Sequence, residues 1–213
     1  MAAGGSPVAG RRSPGRGLDP LLRRPQRPPG VGRLGLTLFL ASLTMLFGAG
    51  LAGYLVTLLA AREWPPPGAP PLPRGLWLSS ALALAVSGAV QRALQRIRAG
   101  DAGGLARWLR LALLCAFAFL ASQAWNWTAL AGRGGPAGVR NLYGFSFYFL
   151  TVLHALHVLG GLIPLGVTTA RAAARRYAPG AHEGVSLCAA YWHFLAAVWL
   201  VIFAALHVGG MIR

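Results

Sequence analysis

Residues 34–59 read LGLTLFLASLTMLFGAGLAGYLVTLL, a run without Asp, Glu, Lys or Arg. At about 1.5 Å of rise per residue a helix of this run spans about 39 Å, more than the ~30 Å of hydrocarbon in a bilayer. Lipid offers the backbone no hydrogen-bond partners, so a segment this apolar reads as a membrane helix that satisfies its own peptide groups. Four further runs follow at about 76–95, 108–130, 142–170 and 187–211; their interiors hold no acidic residue and no lysine, and Arg falls only near their ends. Period-2 alternation is absent, which excludes a membrane barrel. The short connections predict an all-α, up-down bundle of five transmembrane helices.

Composition agrees. Of 213 residues, 55% are hydrophobic and only 11% charged, against about a quarter charged in a soluble domain. All 20 basic residues are Arg, opposed by Asp19, Glu63, Asp101 and Glu183, for a formal charge of +16. A nucleic-acid binder would gather that charge on one module; here Arg punctuates the apolar runs, so no nucleic-acid partner is expected. Alternate connecting segments hold 15 Arg on one side and 5 on the other, which predicts a cytoplasmic amino terminus and an external carboxyl terminus. The expected location is a bacterial cytoplasmic (inner) membrane.

Residues 1–32 carry six of the 15 prolines with repeated Gly and Arg and read as a disordered cytoplasmic tail, leaving 33–213 as the membrane domain. No apolar stretch precedes residue 34, so a cleaved secretory signal is not expected. Six more prolines between Pro65 and Pro73 predict a stiff external loop. Small residues at Ala81, Ala85, Ala89 and Ala93, and at Gly48–Ala52 and Ala49–Gly53, mark expected close helix contacts. Trp64, Trp77, Trp108, Trp125, Trp127, Tyr143, Tyr191 and Trp192 lie near segment ends and read as interfacial belts.

Histidine is the side chain here best suited to redox or metal work. His154 and His157 are three apart on the fourth segment, with Gly160 and Gly161 one turn on. His193 and His207 are 14 apart on the fifth, and His182 stands in the loop between. Two readings are open: a b-type haem held between His157 and His193, or interhelical hydrogen bonds and lipid contacts. Cys115 and Cys188 form no CxxC pattern, so neither a disulfide nor a thiolate metal site is expected. Ser42, Thr44, Ser87, Ser122, Gln123 and Asn126 suit interhelical hydrogen bonding, and the absence of intramembrane carboxylates speaks against ion transport. The Asn126–Trp127–Thr128 sequon lies against a membrane end and reads as a chance match.

Two stretches carry a family likeness. Residues 147–161, FYFLTVLHALHVLGG, resemble the FF-x-LTG-x-HG-x-HV-x-x-G signature of haem–copper oxidase subunit III. Tyr191-Trp192-His193-Phe194, followed by Val198-Trp199-Leu200, is similar to that family's YWHFVDVVWL. Weaker echoes are Phe39-Leu40-Ala41-Ser42 with Phe47, and Trp64-Pro65-Pro66 leading to Leu76-Trp77-Leu78-Ser79-Ser80. The likeness runs in order from about residue 34 to 206.

The resemblance implies the five-helix form of subunit III, which lacks the family's first two helices. It implies a chain without cofactors of its own that packs against the haem- and copper-bearing catalytic subunit I, beside subunit II, of a cytochrome c or quinol oxidase. It also implies bound phospholipid and support of sustained turnover and proton uptake; nitric-oxide-reductase accessory subunits are similar too. By this likeness His154, His157, Gly160, Gly161, Tyr191, Trp192, His193 and Trp199 serve packing, subunit contact or lipid binding. Gly160→Leu is expected to disturb assembly because it fills a close-approach surface. Two departures stand out: the family's Glu falls at Leu43 and its Asp at Ala196. His207 has no counterpart.

Overall fold

The computed structural model describes residues 30–211. The expected tail over 1–32 therefore lies, save for its last three residues, outside the described residues. Five helices follow one another: α1 (Val31–Ala60), α2 (Gly75–Arg98), α3 (Ala102–Arg140), α4 (Leu142–Ala173) and α5 (Glu183–Met211). The all-α bundle is as expected. Each helix outruns its apolar segment, because a helix does not end where hydrocarbon ends. The largest difference is at α3, whose helix continues to Arg140 and meets α4 through Asn141 alone; the loop expected there is absent.

Local chemistry sets the turns. α2 closes in a Schellman motif, with Gly100 at φ 80°, the Gly100 N–H on Ile97 O and the Asp101 N–H on Arg96 O. The Asp101 carboxylate then caps α3 by accepting from Gly104 N at 2.7 Å, as the Asn141 side chain caps α4 through Gly144 N at 2.7 Å. α4 ends in the same motif, with Arg175 at φ 51° in the glycine position. A left-handed residue with a Cβ costs about 1 kcal/mol. Arg175→Gly is therefore expected to raise the melting temperature of the detergent-solubilised chain by about 2–4 °C; an unchanged or lower midpoint would contradict this account.

α2 and α3 share the most extensive interface, and α4 and α5 complete a four-helix core with them. Four of the five helices are long and apolar enough to cross a membrane. The exception, α2, carries Ser79, Ser80, Ser87, Gln91 and Gln95 with terminal arginines. It has 24 residues, enough to cross, and its seat between α3 and α5 lets it be more polar than a helix facing lipid all round.

α1 packs only on the α4–α5 seam among the described helices, through the stripe Leu43, Phe47, Tyr54 and Leu58. The expected small-residue ladders are partly relocated. Ala89 and Ala93 are buried but Ala81 and Ala85 are exposed, and the buried α2 stripe runs instead through Ser79, Ala83 and Val86. On α1 the close approaches are at Gly32, against Leu187, and at Gly50, against Phe149 and Leu150, whereas a Cβ at Gly48 or Gly53 would meet no described residue.

The aromatic belts also divide. Trp77 and Trp125 are exposed, while Trp64, Tyr143, Tyr191 and Trp192 are buried. Trp64 folds under the proline-rich loop, edge-on to Tyr54 and Tyr143 at 5.9 and 5.4 Å. It closes the end of the bundle rather than facing lipid.

Candidate functional site

The histidines do not converge. Residues three apart on a helix differ by about 60° in direction, which is enough here to send His154 inward and His157 to a groove. His154 is buried in an aromatic box, with ring centroids 6.1 Å from Phe47, 5.6 Å from Phe119 and 5.2 Å from Trp199. His157 gives its Nδ1 proton to Leu153 O at 2.7 Å and lies 5.1 Å from Phe47 of α1.

His193 faces α2, where Ser87 Oγ lies 2.6 Å from Nδ1 and Gln91 Oε1 lies 3.1 Å from Nε2. The amide oxygen only accepts, so Nε2 carries the proton and Ser87 donates to Nδ1. His157 and His193 thus look to opposite neighbours, and both nitrogens of His193 are engaged. That is not the geometry of two axial ligands across one iron, which the haem reading requires. Among the described residues no three His, Cys, Asp or Glu side chains gather as a metal site.

Polar links instead tie the core helices together. Trp199 Nε1 donates to Ser80 Oγ at 3.0 Å, joining α5 to α2. Ser79 and Ser122 share a hydrogen bond of 2.8 Å, and Asn126 Nδ2 donates to Ser79 at 3.2 Å, joining α2 to α3. Trp127 Nε1 donates to Thr151 Oγ1 at 3.0 Å and Tyr148 OH to Trp127 O at 2.9 Å, joining α3 to α4. The expectation that Ser122 and Asn126 serve interhelical bonding holds. Gln123, as buried as Asn126, has neither amide atom hydrogen-bonded to a described residue.

Gly161 and Gly160 part ways. A Cβ at Gly161 would come 2.6 Å from Tyr191 Cε1, whereas one at Gly160 would meet nothing. The close approach inside the chain therefore belongs to Gly161, and Tyr191 fixes it by donating its hydroxyl to His157 O at 2.8 Å. Gly160 opens into a groove of about 490 Å³ between α1 and the α4–α5 pair, with Phe39, His157, Pro164, Arg171 and Tyr177 on its walls. Pro164 has no N–H to return to the Gly160 carbonyl, leaving an acceptor at that wall. A second groove of about 460 Å³ separates α1 from α4 at the other pole, beside Gly50, Gly53 and Phe149.

Leu43 is buried in the core. Ala196 borders a small space of about 10 Å³ shared with His154, Phe119 and Trp192. Sequence reasoning missed the partners of the histidines: Phe47 and Phe119 around His154, and Gln91 opposite His193. No local pattern pairs residues so far apart in the chain.

Comparison with known proteins agrees with this architecture. A family model described as "Cytochrome c oxidase subunit III" matches residues 29–211. A "Probable cytochrome c oxidase subunit 3" of Nocardia farcinica is 30% identical over 199 residues, covering 92% of this chain and 96% of the relative. A "Cytochrome c oxidase subunit 3" of Thermostichus vulcanus is 28% identical, covering 82% and 86%. One of Synechocystis is 30% identical, covering 84% and 76%.

Proposed function

We propose, from the premise that this chain belongs to the cytochrome c oxidase subunit III family, that it is the redox-inert, lipid-holding scaffold of a haem–copper oxidase. The family places it as subunit III of such an oxidase, a multi-pass membrane subunit that carries no redox centre itself. The finer reading is that haem and copper reside in a catalytic partner that reduces oxygen to water, beside a second subunit. The Arg asymmetry supports an amino terminus in the cytoplasm and a place in the bacterial inner membrane.

The observation that carries the scaffold reading is the dispersal of the histidines. His154 is enclosed by Phe47, Phe119 and Trp199, His157 is bonded within its own helix, and His193 is clamped by Ser87 and Gln91. His193 bonds α5 to α2, His154 packs between helices, and His157 is engaged within α4. The described acidic residues lie at helix ends or in loops, at Glu63, Asp101 and Glu183. With Leu43 and Ala196 at the two intramembrane positions, support of proton uptake by this chain is indirect, through the partner it steadies.

The test is purification of the oxidase complex from membranes by a tag on this chain. A haem-rich larger subunit is expected to come with it, while the chain freed of partners shows no Soret absorption. A Soret band in the isolated chain that disappears in His193→Ala would sink the reading.

The lipid part of the proposal rests on the groove beside Gly160. Its walls are apolar and its mouth holds Arg171 and Tyr177, suited to an acyl chain and an anionic headgroup. A groove of about 490 Å³ is sized for one ligand. Gly160→Leu is expected to leave folding unchanged and to lower the phospholipid recovered with the complex by about one molecule. Equal phospholipid in variant and wild type would remove the groove from the proposal.

A further inference from the structure

Two side chains inside the four-helix core end without a hydrogen bond. Gln123 of α3 is 0% exposed and His154 of α4 is 1% exposed. Among the described residues neither Gln123 Oε1 nor Nε2 finds a partner, and His154 Nδ1 finds none. An amide carries two N–H donors and an acceptor oxygen, and each imidazole nitrogen either donates or accepts. Leaving such groups unpaired in a core is strongly unfavourable. Gln123 stands about 10 Å of rise inside the end of the apolar run 108–130, so the membrane around it offers no substitute.

The register of α3 on α4 brings these two groups to one level. Phe119 and Trp127 lie one turn before and one turn after Gln123, on the same face of α3. Phe119 packs on the His154 ring at 5.6 Å, and Trp127 Nε1 donates to Thr151 Oγ1 at 3.0 Å. Thr151 and His154 are successive buried positions of α4, so Gln123 stands level with the interval between them. Thr151 Oγ1 is already engaged, since it also donates to Phe147 O at 2.7 Å. The small space of about 10 Å³ beside His154 is bordered by Phe119 as well, and one water needs about that much room.

Enclosure decides what fills the gap. A lipid or a partner's side chain has no way to a group that is 0% exposed. An apolar molecule offers no hydrogen bond, and a cation needs several oxygen ligands where one neutral amide supplies a single oxygen. Water both donates and accepts, so it suits either tautomer of His154 and either end of the amide. Buried waters in proteins serve otherwise unpaired groups of this kind. We propose that one internal water is bound between the Gln123 amide and His154 Nδ1, joining α3 to α4 within the core. The site is a property of this chain alone and does not depend on the scaffold reading.

The experiment places the full wild-type chain, with isotope-labelled glutamine and tryptophan nitrogens, in lipid bilayers. Solid-state NMR then reads the transfer of magnetisation from water protons to those nitrogens. The Gln123 amide signal, assigned by its loss in Gln123→Met, is expected at the shortest mixing times. The Trp199 Nε1 signal, buried and bonded to Ser80, is expected to be absent at those times. Thermal unfolding supplies the second reading. Gln123→Met should lower the midpoint by about 2–4 °C, because His154 is then left unpaired. His154→Leu should cost less in the Gln123→Met background than in the wild type, since both ends of the bridge are then gone. A Gln123 amide without water transfer would overturn the bound water; with non-additive melting it would put a direct Gln123–His154 hydrogen bond in its place. Additive costs would overturn the bridge to His154. A midpoint raised by Gln123→Met would show the amide to be unpaired and would overturn the site as a whole.

Discussion

Gly161→Leu is expected to destabilise the chain by about 2–3 kcal/mol, the usual cost of overpacking a closed contact, and to lower its melting temperature by about 5–10 °C. The neighbouring Gly160→Leu should leave the midpoint within about 1 °C, since no described residue is displaced by its Cβ. At Gly161 the first added carbon already falls 2.6 Å from Tyr191 Cε1 and 3.3 Å from Trp192 Cζ2. Tyr191 cannot swing away freely. Its hydroxyl is bonded to His157 O at 2.8 Å, and its ring is stacked on Phe39 of α1 at 6.1 Å. Moving it breaks the bond and loosens α1, which has few other anchors.

A double-mutant cycle separates that clash from a general intolerance of side chains at 161. If Tyr191 is the obstacle, Gly161→Ala should cost less in a Tyr191→Ala background than in the wild type. Additive costs, or equal melting of the Gly160 and Gly161 variants, would show that the Tyr191 contact does not set the α4–α5 spacing.

This pair of glycines also shows what could be read from the sequence. The five helices were legible because lipid demands long continuous apolar runs, and 34–59 or 187–211 admit no other folded form. The far end of α3 was not, since hydropathy marks where hydrocarbon stops and says nothing of a helix that runs on to Arg140. Small residues were visible at Gly160, Gly161, Ala81 and Ala85, but smallness serves a contact inside the chain and a face left open outside it equally well. The same ambiguity governs aromatics: Trp64 and Trp125 both stand near segment ends, yet one is buried and the other exposed. His154 and His157 were legible as a pair on one helix; their separate fates depend on α1 lying over that helix, which no local pattern specifies. His193 is held by residues 106 and 102 positions away.

The largest single effect is expected at Trp199. Trp199→Ala should cost about 3–4 kcal/mol, toward the lower part of the range for large-to-small core changes, because helices separated in lipid or detergent do not gain the full hydrophobic penalty of water. What is lost is packing and one hydrogen bond. Trp199 is wholly buried, stands perpendicular to Phe119 at 5.0 Å and lies 5.2 Å from His154. Its Nε1 donates to Ser80, whose hydroxyl passes its own proton to Leu76 O. Emptying the site therefore unpacks α3 and α4 and cuts the link to α2 at once.

Trp199→Phe keeps most of the ring and drops the donor, and should recover all but about 1–2 kcal/mol. Ser80→Ala, which removes the acceptor but leaves a buried N–H, should cost about 1–3 kcal/mol. Trp125→Ala is the matched control, since that ring is 75% exposed and its loss should stay within about 0.5 kcal/mol. Thermal unfolding of the purified chain in one detergent ranks all four. If Trp199→Ala and Trp125→Ala melted together, the aromatic layer around His154 would not be what holds the four core helices in register. The alternative would be the serine and asparagine links of α2 and α3, which Asn126→Leu would then have to break.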